Sequence, residues 1–282
     1  LVILHILNSR EEVMKEKRVL YVSSEVSPYL PENELSKMSF EVPKMVHNKG
    51  GQIRIFMPHF GIINERRHQL HEVIRLSGMN LIINDLDMPL IIKVASIPRE
   101  RMQVYFIDND EYFKRKAIYK DENGDMFGDN DERCIFFARG VVETVKKLNW
   151  MPDVIHVSGW MASLLPLYLK TYYADEPLFK NSKIVTSLYN TNKFSSNLNG
   201  NLIDKLLFDD IAEDKLTSLK TPNFSNLLKI AIENSDAVVK GTEKLPKQIE
   251  TYLETLDKPV LDYQPEDGFE EAYANFYTNH VF

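Results

Sequence analysis

The sequence has a single cysteine, no long basic run and no long apolar run. Cys134 is the only cysteine in 282 residues, which excludes an internal disulfide framework and fits a reducing compartment. Acidic residues outnumber lysine and arginine by 41 to 34, and no basic cluster suggests a nucleic-acid footprint. No apolar segment reaches the roughly 20 residues of a membrane-spanning helix. We therefore predict a cytoplasmic protein that binds neither nucleic acid nor membrane.

Glycine is also scarce, and no glycine-rich phosphate motif occurs. The 11 glycines make up about 4% of the chain, against a usual value of about 7%. P-loop, GxGxxG and GxSxG patterns are absent, and the histidines and the cysteine show no metal-ligand spacing. The sequence therefore predicts no metal site and no cofactor.

Apolar strand candidates alternate with amphipathic helical segments along the chain. This alternation predicts an α/β fold with a single Rossmann-like, doubly wound, mainly parallel sheet. Two β-rich stretches within 74–96, joined around 85–89, predict a β-hairpin inserted into that sheet. The predicted strands are 18–22, 53–57, 90–96, 104–107, 154–157, 184–186 and 237–239, and the predicted helices are 35–48, 132–148, 161–173, 224–234 and 245–256.

The two ends of the chain are predicted to lie outside the main domain. We expect residues 1–16 to be an extension, with the natural domain starting near Met14, and residues 17–257 to form the Rossmann-like domain. The tail 258–282 contains a predicted helix at 267–276. That helix is expected to dock on the domain through one apolar side, made of Phe269, Tyr273, Phe276 and Tyr277.

A histidine and a tryptophan follow the predicted strand 154–157. Ligands of open parallel sheets bind beyond the carboxyl ends of the strands, so His156 and Trp160 could hydrogen-bond and stack on a sugar or a base. The alternative is a core histidine satisfied by a backbone carbonyl, beside a tryptophan that caps the core.

Two further groups of polar residues allow the same pair of interpretations. Asp108 and Tyr112 follow the strand 104–107, and Asn130 and Arg133 lie at the start of the helix 132–148. They could contact a sugar, or they could form a turn and pair with nearby carboxylates. Capping of that helix is expected from its flanking acids, Asp129 and Asp131.

Five segments of the chain carry a specific family pattern: RVLYVSSEVSPY, PKMVHNKGGQIRIFMPHFG, VYFIDNDEYFKR, DNDERCIFFARGV and PDVIHVSGWMASLLPLYLK. Together they resemble the N-terminal domain of bacterial glycogen synthases and plant starch synthases, which use ADP-glucose. The resemblance covers about residues 17–256. It implies one half of a two-domain GT-B fold and transfer of glucose from ADP-glucose to an α-1,4-glucan in the cleft between the domains.

The first departure from the family pattern lies in the loop that the resemblance implies binds the donor phosphates. The family sequence there is Lys-Thr-Gly-Gly-Leu, which supplies a lysine charge and glycine amides. Proline removes an N–H donor together with that charge, and a glutamate replaces one of the glycines. The residues that occupy this loop here are Pro31, Glu32, Asn33, Glu34 and Leu35.

The second departure lies in the family motif His-x-His-Asp-Trp-His. His156 and Trp160 are kept, but Met161 stands where the resemblance implies a histidine at the reaction centre. Leu188 occupies the position of a later family histidine, and the sequence shows no counterpart of the C-terminal nucleotide-binding domain.

These departures leave three hypotheses for the function. The first is a degenerate synthase-like domain retained for binding α-glucan or maltooligosaccharide, or for regulating glycogen metabolism, with a full-length synthase or another protein as partner. The second is an active glucosyltransferase completed by a partner chain, and the third is a non-catalytic interaction module. ADP-glucose is not expected to bind tightly in any case except the second.

Overall fold

The computed structural model describes residues 13–282, and its strands form one continuous, mainly parallel sheet. Residues 1–12 of the predicted extension lie outside the described part of the chain. The strands are Arg18–Ser23 (β1), Gln52–Pro58 (β2), His71–Glu72 (β3), Met79–Ile83 (β4), Leu86–Ser96 (β5), Gln103–Asp108 (β6), Val154–Ser158 (β7), Lys183–Leu188 (β8), Ala237–Lys240 (β9) and Val260–Leu261 (β10).

The sheet order is β10-β9-β8-β7-β1-β2-β6-β5-β3, and β4 pairs with β5 outside this path. Every pairing from β10 to β6 is parallel, whereas β3, β4 and β6 all pair antiparallel to β5. After β1, the chain forms β2 to β6 on one side of that strand. It then crosses to the other side of β1, where β7 to β10 follow. The predicted doubly wound α/β fold is therefore confirmed, and each predicted strand segment lies within an observed strand.

The helices cover the sheet and mostly match the predicted segments. Helix α1 packs on β1 and β2, and α4 packs on β2, β4 and β6. The helices are Glu34–Asn48 (α1), Glu65–His68 (α2), Asp110–Phe113 (α3), Asn130–Leu148 (α4), Leu165–Lys170 (α5), Leu202–Phe208 (α6), Phe224–Glu233 (α7), Lys247–Leu253 (α8) and Phe269–Phe276 (α9).

Two details of the helix prediction are wrong. The predicted helix 161–173 is split into a 3-10 turn at Trp160–Ala162 and helix α5, because Pro166 in the first turn of α5 has no N–H to continue an earlier helix. Asp129 is the N-cap residue of α4 but makes no side-chain capping bond. Its carboxylate instead accepts two hydrogen bonds from Arg115, at 2.9 and 2.6 Å.

The inserted hairpin consists of β4 and β5, as predicted, although its turn lies slightly earlier in the chain. Asn84 and Asp85 form the turn with φ of +47° and +69°. These residue types tolerate the left-handed conformation that a two-residue hairpin turn requires.

The C-terminal segment packs against the sheet and against α1. The four side chains Phe269, Tyr273, Phe276 and Tyr277 are all buried there. Burial of this apolar side holds α9 and the following π-helical turn Tyr277–Val281 on the domain.

Tyr277 links this tail to three central strands. Its hydroxyl lies 2.7 Å from the hydroxyl of Tyr21 on β1 and also contacts Nδ1 of His156 on β7. The other ring nitrogen of His156 lies 2.6 Å from the hydroxyl of Ser187 on β8. All four groups are buried, so each depends on the others for its hydrogen bonds.

Replacement of Tyr277 by phenylalanine is expected to destabilise the domain. The substitution leaves Tyr21 and His156 each short of a buried partner, which costs about 1–3 kcal/mol. Urea unfolding should show this loss, whereas Tyr252→Phe, a half-buried tyrosine on α8 beside Lys229, should change the midpoint little. Equal midpoints for the Tyr277 variant and the wild type would contradict the role given to this hydroxyl.

His156 is expected to make stability depend on pH. Burial lowers its pKa to about 3 because the charged ring would lose its hydration. Unfolded histidine has a pKa of about 6.5, so as pH falls below that value the unfolded state takes up a proton that the folded state does not. The free energy of unfolding should fall by roughly 2 kcal/mol more between pH 7 and pH 5 in the wild type than in His156→Gln. Parallel pH profiles from chemical unfolding would count against this prediction.

Candidate functional site

A cleft of about 440 Å³ opens at the carboxyl ends of β1, β7 and β8. The strand order reverses between β1 and β7, and such a switch point is where open α/β sheets bind ligands. The cleft is formed by the three loops that follow these strands. Its lining residues are Glu25, Asn33, Glu34, Leu35, Gly159, Trp160, Tyr189, Asn190, Thr191, Asn192 and Lys193.

Gly159 brings the loop after β7 against the loop after β1. Its φ of +83° is strained for other residues, and a Cβ atom at this position would lie only 2.4 Å from Oγ of Ser24. The close approach of the two loops places Trp160, the next residue, at the cleft. A glycine is therefore required where the resemblance implies an aspartate.

The start of α1 is closed by its own side chains. Oδ1 of Asn33 accepts the N–H of Ser36 at 2.9 Å, and Oγ of Ser36 accepts the N–H of Asn33 at the same distance. This reciprocal cap occupies two backbone donors that a helix N-terminus could otherwise offer to an anion. Glu34 follows the cap as the first helical residue, exposed at the cleft, whereas Pro31 and Glu32 are exposed outside its lining.

The buried carboxylate of Glu25 holds the cleft together. One oxygen accepts hydrogen bonds from the Asn33 amide at 2.7 Å and from the Lys193 ammonium at 2.6 Å. The other accepts from the hydroxyl of Tyr119 at 3.1 Å. A buried charge needs such partners to offset the loss of hydration. Glu25 therefore fixes three separate segments around one point.

The charged groups of the cleft leave it negative. Its lining contains two carboxylates, Glu25 and Glu34, and one ammonium, that of Lys193. Because Lys193 is already bonded to Glu25, Glu34 is left as the uncompensated charge among the lining residues.

Two aromatic residues contribute to the wall. The ring of Trp160 packs against Tyr119 and Phe194, with centroids 4.7 and 5.1 Å away, and its indole nitrogen is buried with no hydrogen-bond partner among residues 13–282. Tyr189 fits beside Gly241, where a Cβ atom would lie 2.3 Å from the tyrosine ring. The wall of the cleft thus contains a packed indole ring whose N–H is buried without a partner.

The structure places the predicted site residues in several different locations. Trp160 and the 33–35 part of the predicted donor loop line the cleft, whereas His156 lies below it, bonded to Tyr277 and Ser187. The partners of His156 are thus side-chain hydroxyls instead of the backbone carbonyl considered from the sequence. Met161 is completely buried and does not line the cleft.

The remaining predicted site residues make contacts within the protein, away from the cleft. The Tyr112 hydroxyl donates to Glu132 at 2.9 Å, and the Asn130 amide donates to the carbonyl of Tyr119 at 2.9 Å. Arg133 is completely buried, donates to Asn130 at 2.6 Å and lies over the ring of Phe113; burial lowers its pKa to about 10. Asp108 lies at β6, in a second pocket described below.

Sequence reasoning did not select Glu25, Tyr189 or Lys193. Each follows β1 or β8 closely, so the rule that ligands bind at carboxyl ends of strands could have identified them. The pairing of Glu25 with Lys193 could not be foreseen, because the two residues are 168 positions apart in the chain.

Metal and nucleophilic chemistry find little support in residues 13–282. In this part of the chain no group of three or more His, Cys, Asp or Glu side chains is placed to hold a metal ion. Burial raises the pKa of the Cys134 thiol, which disfavours the reactive thiolate.

None of the helices among residues 13–282 is long and apolar enough to cross a membrane.

Comparison with known proteins identifies relatives over most of the chain. A glycogen synthase of Chlorobium luteolum is 37% identical over 230 residues, covering 81% of this chain and 46% of that protein. A glycogen synthase of Chlorobaculum tepidum is 34% identical over 256 residues, covering 87% and 49%. The chain therefore spans about half the length of the curated relatives it matches.

Solved structures and family models agree with these relatives. The fold is similar to the catalytic domain of starch synthase IV from Arabidopsis thaliana bound to ADP and acarbose, with a TM-score of 0.69 and 17% identity. The match covers 88% of this chain and 51% of that one. The model of the starch synthase catalytic domain matches residues 18–258. The resemblance seen in the sequence is thus confirmed, and the chain belongs to the starch synthase catalytic domain family.

Proposed function

We propose that this domain binds an α-1,4-glucan in the cleft at β1, β7 and β8, in the cytoplasm, and does not hold ADP-glucose there as the family pattern implies. The observation that carries the proposal is the charge of the cleft. Its one lysine, Lys193, is bonded to the buried Glu25, and Glu34 stands exposed at the start of α1.

A diphosphate meets three obstacles at this place. The lysine and glycine amides of the family loop are replaced, and Pro31 has no N–H to donate. The reciprocal cap between Asn33 and Ser36 occupies donors at the helix start. Glu34 adds negative charge where an anion would have to lie, and like charges in a partly desolvated cleft repel. These features together support loss of donor binding.

A neutral oligosaccharide meets none of these obstacles. Asn190, Thr191 and Asn192 line one wall, and amide and hydroxyl groups of these types can donate to and accept from sugar hydroxyls. The amide of Asn190 and the hydroxyl of Thr191 also bond within the protein, which leaves Asn192 as the side chain of this wall without such a bond in the described residues. The indole N–H of Trp160, a residue of the cleft lining, is buried without a partner, which is unfavourable in the free protein, and a sugar hydroxyl that reaches it on binding would satisfy it. The volume of about 440 Å³ suits one or two sugar rings.

The relatives also support a carbohydrate ligand. Proteins 34–37% identical to this chain carry the name glycogen synthase, and the structural neighbour was solved with ADP and acarbose bound. We propose that the glucan side of that activity is kept while the donor side is lost, so that the domain recruits or regulates another protein of glycogen metabolism on the same glucan.

Calorimetry on the full chain tests the donor half of the proposal. Maltoheptaose should bind, and ADP-glucose should give no heat at millimolar concentration. Introducing Pro31→Lys together with Glu34→Gly should strengthen ADP-glucose binding about tenfold or more, since it restores a charge-assisted contact and removes a repulsion.

The matched control is Glu32→Gly, which removes an acid from the same loop outside the cleft lining and should leave both ligands unaffected. Micromolar binding of ADP-glucose to the wild type would instead favour an active glucosyltransferase. Incorporation of radiolabelled glucose in the presence of a candidate partner chain would then establish that alternative.

Tryptophan fluorescence tests the glucan half. The chain has two tryptophans, so Trp150→Phe leaves Trp160 as the sole reporter while removing a residue that lies away from the cleft, stacked near Arg54. Maltoheptaose should shift the emission of that variant. Trp160→Phe keeps an aromatic ring but loses the N–H, and should weaken binding about three- to tenfold, the usual value of one neutral hydrogen bond. An unchanged affinity in the Trp160 variant, or a lack of any emission change, would place the glucan elsewhere.

A further inference from the structure

A second pocket of about 550 Å³ lies at the carboxyl ends of β2 and β6 and shares no lining residue with the cleft. Gly61 locks its two loops together, because its N–H donates to the carbonyl of Phe113 at 2.7 Å and its carbonyl accepts from Lys116 at 2.6 Å. A Cβ atom on Gly61 would lie 2.2 Å from the carbonyl oxygen of Lys114. The pocket is therefore built by tight backbone packing.

The floor of the pocket is a buried cluster around Asp108. Its carboxylate accepts from Nδ1 of His59 at 3.0 Å and from the ammonium of Lys93 at 2.8 Å. Burial by itself would raise the pKa of Asp108, but the hydrogen bonds and charges of His59 and Lys93 outweigh it and lower that pKa. The floor therefore keeps a charged carboxylate that orients the imidazole and the ammonium.

His59 presents one unused nitrogen. The residue is only 6% exposed, and its Nε2 has no hydrogen-bond partner among residues 13–282. The nearest acid is Glu65, whose Oε1 lies 3.4 Å from Nε2 and 2.9 Å from the ammonium of Lys93. The half-exposed Glu65 carboxylate thus marks a place where an anionic oxygen can lie between His59 and Lys93.

The rim of the pocket is cationic. Arg66, Lys114 and Lys116 surround the opening, and neither Arg66 nor Lys116 forms an ion pair within the described residues. In total the lining contains four cationic side chains against three carboxylates, before any charge on His59. This excess is local, since the whole chain has a formal charge of -7.

We propose that this pocket binds the phosphate group of a small phosphorylated molecule. The phosphate takes the place of the Glu65 carboxylate above His59 and Lys93, with Arg66 and Lys116 as counter-charges at the rim. Phosphate oxygens accept from the cationic donors of Lys93, Arg66 and Lys116, and the O–H of a singly protonated phosphate group can donate to Nε2 of His59, which is an acceptor when Nδ1 carries the proton. The volume of about 550 Å³ exceeds what a phosphate ion fills and leaves space for the organic part of the ligand.

Calorimetric titration of the full chain with inorganic phosphate, and separately with glucose 1-phosphate, tests this site. Both probes should bind. The double variant Arg66→Ala/Lys116→Ala should weaken both about tenfold or more, since it removes both unpaired cations. Glu65→Gln should strengthen both, because the internal carboxylate no longer competes. The matched control is Lys247→Ala, an exposed lysine on α8 without an ion pair in the described residues.

The substituted side chains are exposed, so folding should be retained. Lys116→Ala also removes the bond to the Gly61 carbonyl, but the backbone bond from Gly61 to Phe113 is kept, and an unchanged urea midpoint would verify that the loops still pack.

Tighter binding of glucose 1-phosphate than of inorganic phosphate would show that the pocket prefers a phosphate ester. Equal binding would show that it recognises the phosphate group alone. The proposal is overturned if neither probe gives heat at tens of millimolar, or if the Arg66/Lys116 variant binds like the Lys247 control. It is also overturned if Lys193→Ala, in the cleft, abolishes the binding while the circular dichroism spectrum shows that this variant is folded.

Discussion

The cleft depends on one buried carboxylate, that of Glu25. Its two oxygens accept from the hydroxyl of Tyr119, the amide of Asn33 and the ammonium of Lys193, which belong to three segments far apart in the sequence. Removing one partner of such a group leaves a buried charge short of hydrogen bonds, which is strongly unfavourable. The bonds that shape the cleft therefore also neutralise the one ammonium among its lining residues. The interactions of Glu25 thus set both the geometry and the charge of the cleft.

Much of the fold could be predicted from the sequence because its signals are local. Short apolar runs predicted the strands, since strands buried on both faces have no polar alternation. The hairpin followed from two β-rich stretches joined around 85–89, close to the observed turn at Asn84 and Asp85. The interrupted helix after β7 was missed because the apolar spacing of 161–173 resembles one continuous helix, although Pro166 marks a new start. The family followed from five segments, most of which form strands and the turns after them.

The candidate site was less predictable because its side chains are paired over long distances. His156 lies at the carboxyl end of a strand, where ligand-binding residues are common. The hydroxyl that bonds to its Nδ1 belongs to Tyr277, which lies 121 residues later in the tail. From the sequence, Arg133 is a cation at the start of a helix and could reach a ligand. In the structure it is completely buried beside aromatic rings. Sequence periodicity gives the strand end at which a residue lies, but the partner of a buried polar group depends on tertiary packing.

The carboxyl edge of this sheet carries two pockets of opposite charge balance. In the cleft, the cation is bonded to a buried acid and Glu34 is left over, which suits a neutral ligand. At β2 and β6, Asp108 is shared by His59 and Lys93, and Arg66 and Lys116 at the rim have no ion pair among residues 13–282. Although the chain is acidic overall, the pocket at β2 and β6 thus offers an anion a favourable place, because a local excess of cationic side chains there outweighs the overall negative charge. If the cleft has lost its affinity for phosphate groups, the same sheet edge still retains a second place with the chemistry to bind them.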